Sequence, residues 1–446
     1  MDREPPNNLS AVEAADRIRE GWFSSVDLVK ACLAHIDATD GQVRAWAHVD
    51  REGALAQAEQ ADQIRRAGRA MGPLHGIPVG LKDIIDTAGL PTERGSPIFS
   101  GRVPEADAAL VDRLREAGAV ILGKTVTTEM AFMHPSETRN PHNTAHSPGG
   151  SSSGSAAAVA AYHVPLAVGT QTNGSVIRPA AFCGTVGFKP TRGVISRRGV
   201  LQTSETLDQI GVMARTVEDA ALLCDAIKGY DPTDRDSFAR PRPAMRDGYL
   251  SDVPLPPSLA VYDLPFDDRR SPDMVEAMDE VIALLGADRV ERLPAPPAFS
   301  NLPNVQRRIH LYELARHQAE VFDKSWDQLS ETIRPLVTEG RAISDEDYAD
   351  AIELRQMAQE YFTMFFYDYD AVLCPAAPGE APRMDEGTGD PIYSTLWTLA
   401  GLPCLTLPLM TGGQGLPMGL QLVGSFEGDD RLLRTARWLE KTLTEG

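Results

Sequence analysis

The chain has 446 residues, 42% of them hydrophobic, which suits a large α/β enzyme with a sizeable core. Its 43 basic and 63 acidic residues give a net charge of −20, which argues against a general affinity for nucleic acid or anionic membranes. The five cysteines are widely spaced without a CxxC motif, as is typical of reduced core residues in a cytoplasmic protein. The polar start MDREPPNNLS and the lack of a long apolar run predict neither a secretory signal nor a membrane span.

The first part of the chain alternates predicted helices with short apolar strands. A capping box at Ser10 and Glu13 begins a helix that reaches about Glu20. Further helices are predicted over Val26–Ile36, Glu52–Arg69, Ala108–Glu116 and Ser155–Ala161. Buried strands are predicted at Gly76–Leu81, Ala119–Leu122 and Leu166–Gly169. This alternation indicates a mixed or largely parallel sheet with helices on both faces.

The second half of the chain has two stretches without periodicity. Prolines and charges accumulate over Asp231–Pro257 and again over Leu293–Pro303. We interpret them as surface connections, so that a single domain of 1–446 has a core at 70–230 and a variable region at 231–345. Helices are predicted over Asp273–Leu285, Asn304–Ser325, Asp345–Tyr367 and Asp430–Leu443. Strands are predicted at Ala371–Pro375, Cys404–Leu409 and Gly419–Gly424.

The segment Gly118–Thr125 fits the Walker A phosphate-binding pattern letter for letter. In a true phosphate loop the variable residues follow a strand and are small, whereas here they form the predicted strand itself. We therefore reject nucleotide binding and expect Lys124 to be structural, at the end of that strand.

The segment Gly150–Gly154 matches the G-x-S-x-G nucleophile elbow, which requires a buried strand directly before it. The preceding residues 138–148 are polar and interrupted by proline, so Ser152 is a poor candidate nucleophile. The downstream histidines, His310 and His317, lie on a predicted charged helix and are expected to be solvated.

Three loop histidines raise the question of a metal site. His142 and His146 are four residues apart with His134 nearby, but the glutamate of the HExxH zinc motif is missing. We expect these histidines to be bonded to water or backbone, and we predict no metal.

The segment Ser147–Pro190 is the best candidate for chemistry. It holds two serine loops, separated by one predicted helix and one predicted strand. A loop serine that faces free backbone N–H groups is suited to acyl transfer, provided that a base is near. Lys82, which follows an apolar strand, is the candidate base for Ser151 and Ser175.

Lys82 also has a purely structural interpretation, an ion pair with Asp83 or Asp86. An ordinary lysine with a pKa of ~10.4 is neutral only about once in 2,500 at pH 7. To act as a base, Lys82 must be removed from water and surrounded by hydroxyls rather than carboxylates.

Several blocks of the sequence together match one family pattern, in the family's order. They are GIPVGLKDIIDTAGLPTERGS (76–96), ILGKTVTTEMAF (121–132), SPGGSSSGSAAAVAA (147–161), AAFCGTVGFKPTRG (180–193), DQIGVMARTVEDAALL (208–223), and the tail blocks AGLPCLTLP and GLPMGLQLVG (400–424). By these blocks the chain resembles the amidase signature family of serine hydrolases, whose members carry a Ser-Ser-Lys triad.

The resemblance implies a role for each candidate residue. Ser175 would be the nucleophile, Ser151 the bridging serine in a cis peptide, and Lys82 the base. The oxyanion hole implied by the family consists of the backbone N–H groups of Thr172, Asn173, Gly174 and Ser175. The implied fold is one α/β domain around a single large twisted mixed sheet, without metal or organic cofactor.

The chain departs from the family around the nucleophile. Gln171 stands where the family usually has Asp, Asn173 replaces a glycine, and Arg178 is displaced by one position. Ser153 replaces the usual second glycine after the serine pair. We expect a positive φ at Asn173 to be tolerated, and we expect the changed charge to affect the substrate more than catalysis.

The resemblance leaves two functional hypotheses. The first is a free-standing cytoplasmic hydrolase of small, hydrophobic or aryl amides or carbamates (urethanes), with a small-molecule substrate, no nucleic-acid partner and no membrane. The alternative is the glutaminase subunit of a tRNA-dependent amidotransferase. The acidity of the chain and the change at Gln171 favour the first hypothesis. A silent binding scaffold would have lost a triad residue, and none is lost. The substrate pocket is predicted to include Met130, Phe132, Met133, His134 and Gln171.

Overall fold

The computed structural model describes residues 4–445 and contains one mixed sheet of 11 strands within that range. The strands are β1 (Trp46–Val49), β2 (Pro78–Lys82), β3 (Val120–Thr125), β4 (Leu166–Gln171), β5 (Val186–Lys189), β6 (Gln209–Ala214), β7 (Leu259–Asp263), β8 (Val290–Pro294), β9 (Ala371–Pro375), β10 (Cys404–Thr411) and β11 (Pro417–Val423). Their order across the sheet is β1-β3-β2-β4-β6-β5-β10-β11-β9-β7-β8. The predicted α/β class with a single large mixed sheet flanked by helices is confirmed.

Helices separate most of the strands and cover the sheet. They are α1 (Ala11–Glu20), α2 (Ser25–Val43), α3 (Arg51–Arg66), α4 (Ala109–Glu116), α5 (Ser153–Ala160), α6 (Ile177–Phe182), α7 (Val217–Ile227), α8 (Met245–Leu250), α9 (Pro272–Leu285), α10 (Leu302–His317), α11 (Ala319–Ser325), α12 (Ile333–Ala342), α13 (Asp345–Phe365), α14 (Ile392–Ala400) and α15 (Asp429–Glu445). The capping box predicted at Ser10 is present, because its hydroxyl accepts from the Glu13 N–H and the Glu13 carboxylate accepts from the Ser10 N–H.

Pairing directions in the sheet are mixed. Strand β2 is parallel to both of its neighbours, β3 and β4, whereas β4, β6, β5, β10, β11 and β9 are joined by antiparallel pairs. Strand β7 is parallel to β8 and β9. The carboxyl ends of β2 and β4 therefore lie at the same edge of the sheet, and the candidate site is built at that edge.

The region 231–345 contributes to the central architecture. Its strands β7 and β8 extend the sheet at one side, and its helix α10 packs against α12, α13 and α14. The helix predicted over Asn304–Ser325 is divided at Gln318 into α10 and α11. The strands β1 and β5 to β8 were not predicted.

Lys124 is structural, as predicted. It lies within β3, is buried, and its ammonium group donates to the Ile85 carbonyl and to the hydroxyls of Thr87 and Thr92. The residues that match the Walker A letters form a strand instead of a phosphate loop.

All five cysteines are buried and unpaired, as predicted. Between residues 4 and 445, no helix combines the length and the apolar character needed to cross a membrane. The cytoplasmic location stays a prediction.

Candidate active site

Lys82 is the last residue of β2, and its side chain is fully buried. Its Nζ atom donates to the Ser151 hydroxyl at 2.7 Å and to the Thr170 hydroxyl at 2.9 Å. It takes part in no ion pair among residues 4–445. The structural alternative fails, because Asp86 pairs with Arg102 at 2.6 Å instead.

Burial lowers the pKa of Lys82 from its ordinary 10.5 to about 7, and the charge of Asp208 opposes this shift only in part. A buried ammonium group without a carboxylate partner is disfavoured relative to the neutral amine. Near pH 7, Lys82 can therefore accept a proton, which is the property that a lysine base needs.

Ser151 lies in the loop before α5, and the peptide bond between Gly150 and Ser151 is cis. Arg178 holds this loop from α6. Its guanidinium group donates to the Gly150 carbonyl at 2.7 Å and to the Gly389 carbonyl at 2.5 Å. The displaced arginine therefore supports the backbone next to Ser151.

Ser175 follows β4 and precedes α6, and it faces a cavity of about 640 Å³. Its hydroxyl makes no hydrogen bond to another side chain in the part of the chain described, so the structure shows the Lys82–Ser151 link and not a Ser151–Ser175 bond. Catalytic hydrogen bonds are often long in free enzymes and shorten only when substrate binds.

The loop Thr172–Ser175 presents backbone N–H groups beside this serine. Within residues 4–445, the N–H groups of Asn173, Gly174 and Ser175 have no protein acceptor. Gly174 has no room for a side chain, because a Cβ atom there would lie 2.9 Å from Pro391. Asn173 does not have the positive φ that the glycine replacement suggested. The loop can donate to an oxyanion, and Asn173 fits it without strain.

The predicted pocket residues divide into two groups. Phe132 and Met133 line the cavity that contains Ser175. Met130, His134 and Gln171 are not on its wall, so their assignment to the pocket was wrong. Met130 is buried in a left-handed turn. His134 is exposed and contacts Thr332.

Gln171 points away from the cavity because it caps α6. Its carbonyl oxygen accepts from the N–H groups of Val176 at 2.8 Å and Ile177 at 3.0 Å. Its amide nitrogen donates to the Thr398 hydroxyl at 2.9 Å. The substitution of Asp by Gln therefore changes the support of the nucleophile loop and leaves the lining of the pocket unchanged.

His310 is half-buried, whereas the prediction was that it is solvated. It lies on α10 at the cavity wall, with its ring centroid 4.9 Å from that of Phe132. Burial lowers the pKa of His310 to about 4. His317, at the end of the same helix, is exposed as expected.

Charged residues on the cavity wall were also missed. Arg178, Arg269 and Arg307 line it, together with one acid, Asp390. Arg269, Arg307 and Asp390 lie outside the sequence blocks that carried the family resemblance, whereas Arg178 was noted near the nucleophile but not assigned to the wall. Thr170 was missed as well, although its place one residue before the end of β4 is level with Lys82 at the sheet edge.

The other candidate motifs have structural roles. The Ser152 hydroxyl is buried and bonded to the backbone carbonyl of Thr170 at 3.2 Å, so it does not face the cavity. The ring nitrogens of His142 and His146 contact the carbonyls of Cys183 and Ala381, as expected for loop histidines bonded to backbone. Residues 4–445 contain no cluster of three or more His, Cys, Asp or Glu side chains suited to a metal ion.

A comparison with protein families agrees with the geometry of the site. The model of the family described as Amidase matches residues 27–433. This chain belongs to the amidase family. Membership of the amidase signature family, inferred above from sequence blocks, is confirmed, and the protein is an amidase-family hydrolase that acts on C–N bonds.

Solved structures of other proteins share the fold. A chain from a vestigial protein complex linked to the origins of an s-triazine catabolic enzyme has a TM-score of 0.91 at 31% identity, covering 97% of this chain and 98% of that one. The peptide amidase of Stenotrophomonas maltophilia has a TM-score of 0.84 at 30% identity, covering 98% of this chain and 97% of that one.

Several relatives that match nearly the whole chain are named as subunits of one amidotransferase. This chain is 37% identical to the A-type subunit of the glutamyl-tRNA(Gln) amidotransferase of Geobacter metallireducens, over 97% of each chain. It is 36% identical to the protein of the same name from Streptomyces coelicolor, over 98% of this chain and 96% of the relative.

These relatives contradict two predictions. The hypothesis of a free-standing hydrolase of aryl amides or carbamates is wrong, and the alternative agrees better with the comparison. Its argument from Gln171 fails because that side chain does not face the cavity. The prediction of a small-molecule partner without nucleic acid is also contradicted, because the relatives are named as subunits of an enzyme of tRNA. The net charge of one chain does not report what a partner subunit binds.

Proposed function

We propose that this amidase hydrolyses the side-chain amide of glutamine and releases ammonia, as the A-type subunit of a tRNA-dependent amidotransferase. The observation that carries the proposal is the similarity to A-type subunits of that enzyme over nearly the whole chain. The proposal implies that the chain assembles with other protein subunits and that the assembled enzyme acts on a tRNA.

The charges of the cavity support an amino-acid substrate. Arg178, Arg269 and Arg307 give the wall an excess of positive charge, although the chain as a whole is strongly acidic. A carboxylate is recognised well by guanidinium groups. Asp390 on the same wall pairs with Arg269 at 3.0 Å, and Arg307 pairs with Glu339. A bound glutamine would therefore exchange these ion pairs for contacts of its own carboxylate and ammonium groups.

In the proposed reaction, the Ser175 oxygen attacks the amide carbon while its proton passes to Ser151, and the Ser151 proton passes to neutral Lys82. The carbonyl electron pair moves onto the oxygen, where the N–H groups of the loop Thr172–Ser175 stabilise the negative charge. When the C–N bond breaks, the nitrogen takes a proton from Ser151, which is reprotonated by Lys82, and ammonia leaves. Water then attacks the acyl-enzyme by the same relay and releases glutamate.

The test uses the purified protein, alone and co-expressed with the other amidotransferase subunits of its source organism. We expect ammonia and glutamate to form from glutamine in at least one of these preparations, and to be lost in Ser175→Ala. A fluorophosphonate probe reports separately whether Ser175 is reactive. If Ser175 is labelled but neither preparation consumes glutamine, the proposed substrate is wrong.

A further inference from the structure

The backbone of the loop Thr172–Ser175 is polarised in one direction. Its first three carbonyl groups all accept hydrogen bonds from surrounding elements, whereas the N–H groups of the same three peptide units are free within residues 4–445. The Gly174 carbonyl accepts from the Arg178 N–H at 3.0 Å, inside the first turn of α6. The other two carbonyls are held by side chains.

Thr398 on α14 holds the Asn173 carbonyl. Its hydroxyl accepts from the Gln171 amide at 2.9 Å and donates to this carbonyl at 2.5 Å. The direction of this chain of bonds is fixed, because the Gln171 oxygen is already occupied by two N–H groups of α6. A carboxylate at position 171 could accept from α6 but, when ionised, could not donate to Thr398.

Gln306 on α10 holds the preceding carbonyl. Its amide nitrogen donates to the Thr172 carbonyl at 3.1 Å, and its oxygen lies 3.4 Å from the Asn173 amide nitrogen. The side chain is buried, and it borders the cavity that contains Ser175. Helix α10 therefore reaches the nucleophile loop through one residue.

We propose that Gln306 and Thr398 are positioning residues that orient and polarise the oxyanion-binding N–H groups. The carbonyl of one residue and the N–H of the next belong to the same peptide unit. A donor on the Thr172 carbonyl therefore acts on the Asn173 N–H, and a donor on the Asn173 carbonyl acts on the Gly174 N–H. Accepting a hydrogen bond at oxygen strengthens the N–H donor of that unit, and anchoring the oxygen fixes the direction of the N–H. This inference rests on the serine chemistry of the proposed function but not on glutamine as the substrate.

The test compares Thr398→Val, Thr398→Ser, Gln306→Leu and the native protein. The measured quantity is the second-order rate of Ser175 labelling by a fluorophosphonate, in which an O–P bond forms, the P–F bond breaks, fluoride leaves, and the P=O oxygen occupies the oxyanion site. Removing one oxyanion donor outright costs ~10²–10³ in rate, so we expect a smaller loss, about 10- to 100-fold, in the valine and leucine variants. Thr398→Ser retains the hydroxyl and is expected to restore most of the rate.

Ser394→Ala is the matched comparison, because Ser394 lies on the same helix, is buried, and its hydroxyl has no hydrogen-bond partner within residues 4–445. We expect the labelling rate of this variant to stay within about twofold of native. For Thr398→Val the rate should fall.

Two results would overturn the proposal. One is a Thr398→Val or Gln306→Leu protein whose labelling rate per folded molecule stays within about twofold of native. The other is a loss in Thr398→Ser as large as in Thr398→Val. Circular dichroism identifies variants that fail to fold, and the serine variant then still decides for Thr398. Failure to consume glutamine with native labelling kinetics would count against the proposed substrate only.

Discussion

The Nζ atom of Lys82 lies 2.7 Å from the Ser151 hydroxyl, in a buried position without a carboxylate contact among residues 4–445. A lysine in such surroundings is a proton acceptor near neutral pH, because burial disfavours its charged form.

Activity should depend on the protonation of Lys82. Its pKa is lowered to about 7, and the neutral amine is the active form. We expect kcat/KM, or the labelling rate of Ser175, to rise about tenfold per pH unit below pH 7 and to level off above it. A flat profile between pH 5 and pH 9 would contradict Lys82 as the base.

His310 provides the control for that profile. Its pKa is lowered to about 4 by burial, so it stays neutral across the same range. In His310→Gln the midpoint of the profile should stay near 7, even if the substrate affinity changes at the cavity wall. A shift of the midpoint in this variant would assign the titration to the histidine.

Lys82→Met should inactivate the enzyme and stabilise the fold at low pH. The folded-state pKa of about 7 is below the ordinary 10.5, so the folded chain binds fewer protons than the unfolded chain between these values. The native protein therefore gains stability from this group as pH rises from 7 to 10.5, by about 1.4 kcal/mol per unit, and carries the full penalty below pH 7.

Urea unfolding at pH 6 and pH 9 measures this effect. Relative to native, the methionine variant should have its largest gain in the free energy of unfolding at pH 6 and a smaller gain at pH 9. Equal gains at the two pH values would show that Lys82 does not titrate as proposed.

Ser151→Ala should remove the link between the base and the nucleophile. We expect a loss of ~10²–10⁴ in kcat or in labelling rate, the usual contribution of proton transfer by a positioned group. Ser152→Ala is the matched control, since the Ser152 hydroxyl bonds only to the Thr170 backbone. That variant should lose about 1–3 kcal/mol of stability while Ser175 remains reactive. The opposite ranking of the two variants would revive Ser152 as the nucleophile.

Arg178→Lys should impair the site although the charge is retained. The guanidinium group bridges the carbonyls of Gly150 and Gly389, and a single ammonium group cannot reproduce that fork. We expect lower thermal stability and slower labelling of Ser175. Arg102→Lys, at an ion pair with Asp86 away from the cavity, controls for the general effect of the substitution. Equal labelling rates in the two variants would argue against this role of Arg178.

The sequence predicted the fold class and the residues that meet at the sheet edge, because several blocks occur in the family's order and flank strongly apolar strands. It did not predict the position of Gln171. This side chain caps α6, which has only six residues, and it donates to Thr398, which is 227 residues away in the sequence. Neither feature leaves a local sequence signal. His310 was placed in solvent because its helix is rich in charge, and the burial of one face by Phe132 leaves no local signal. The sequence alone did not favour a subunit over a free-standing enzyme, and only the names of relatives that match nearly the whole chain did so.

The arrangement of the cavity wall also bears on when the enzyme becomes competent during its synthesis. Pro391, Ile392 and Thr395 of the wall are made more than 200 residues after Ser175. A nascent chain on the ribosome that ends before α14 already contains the lysine and both serines but lacks this side of the binding site. A chain that ends before α14 therefore cannot form the complete cavity around Ser175.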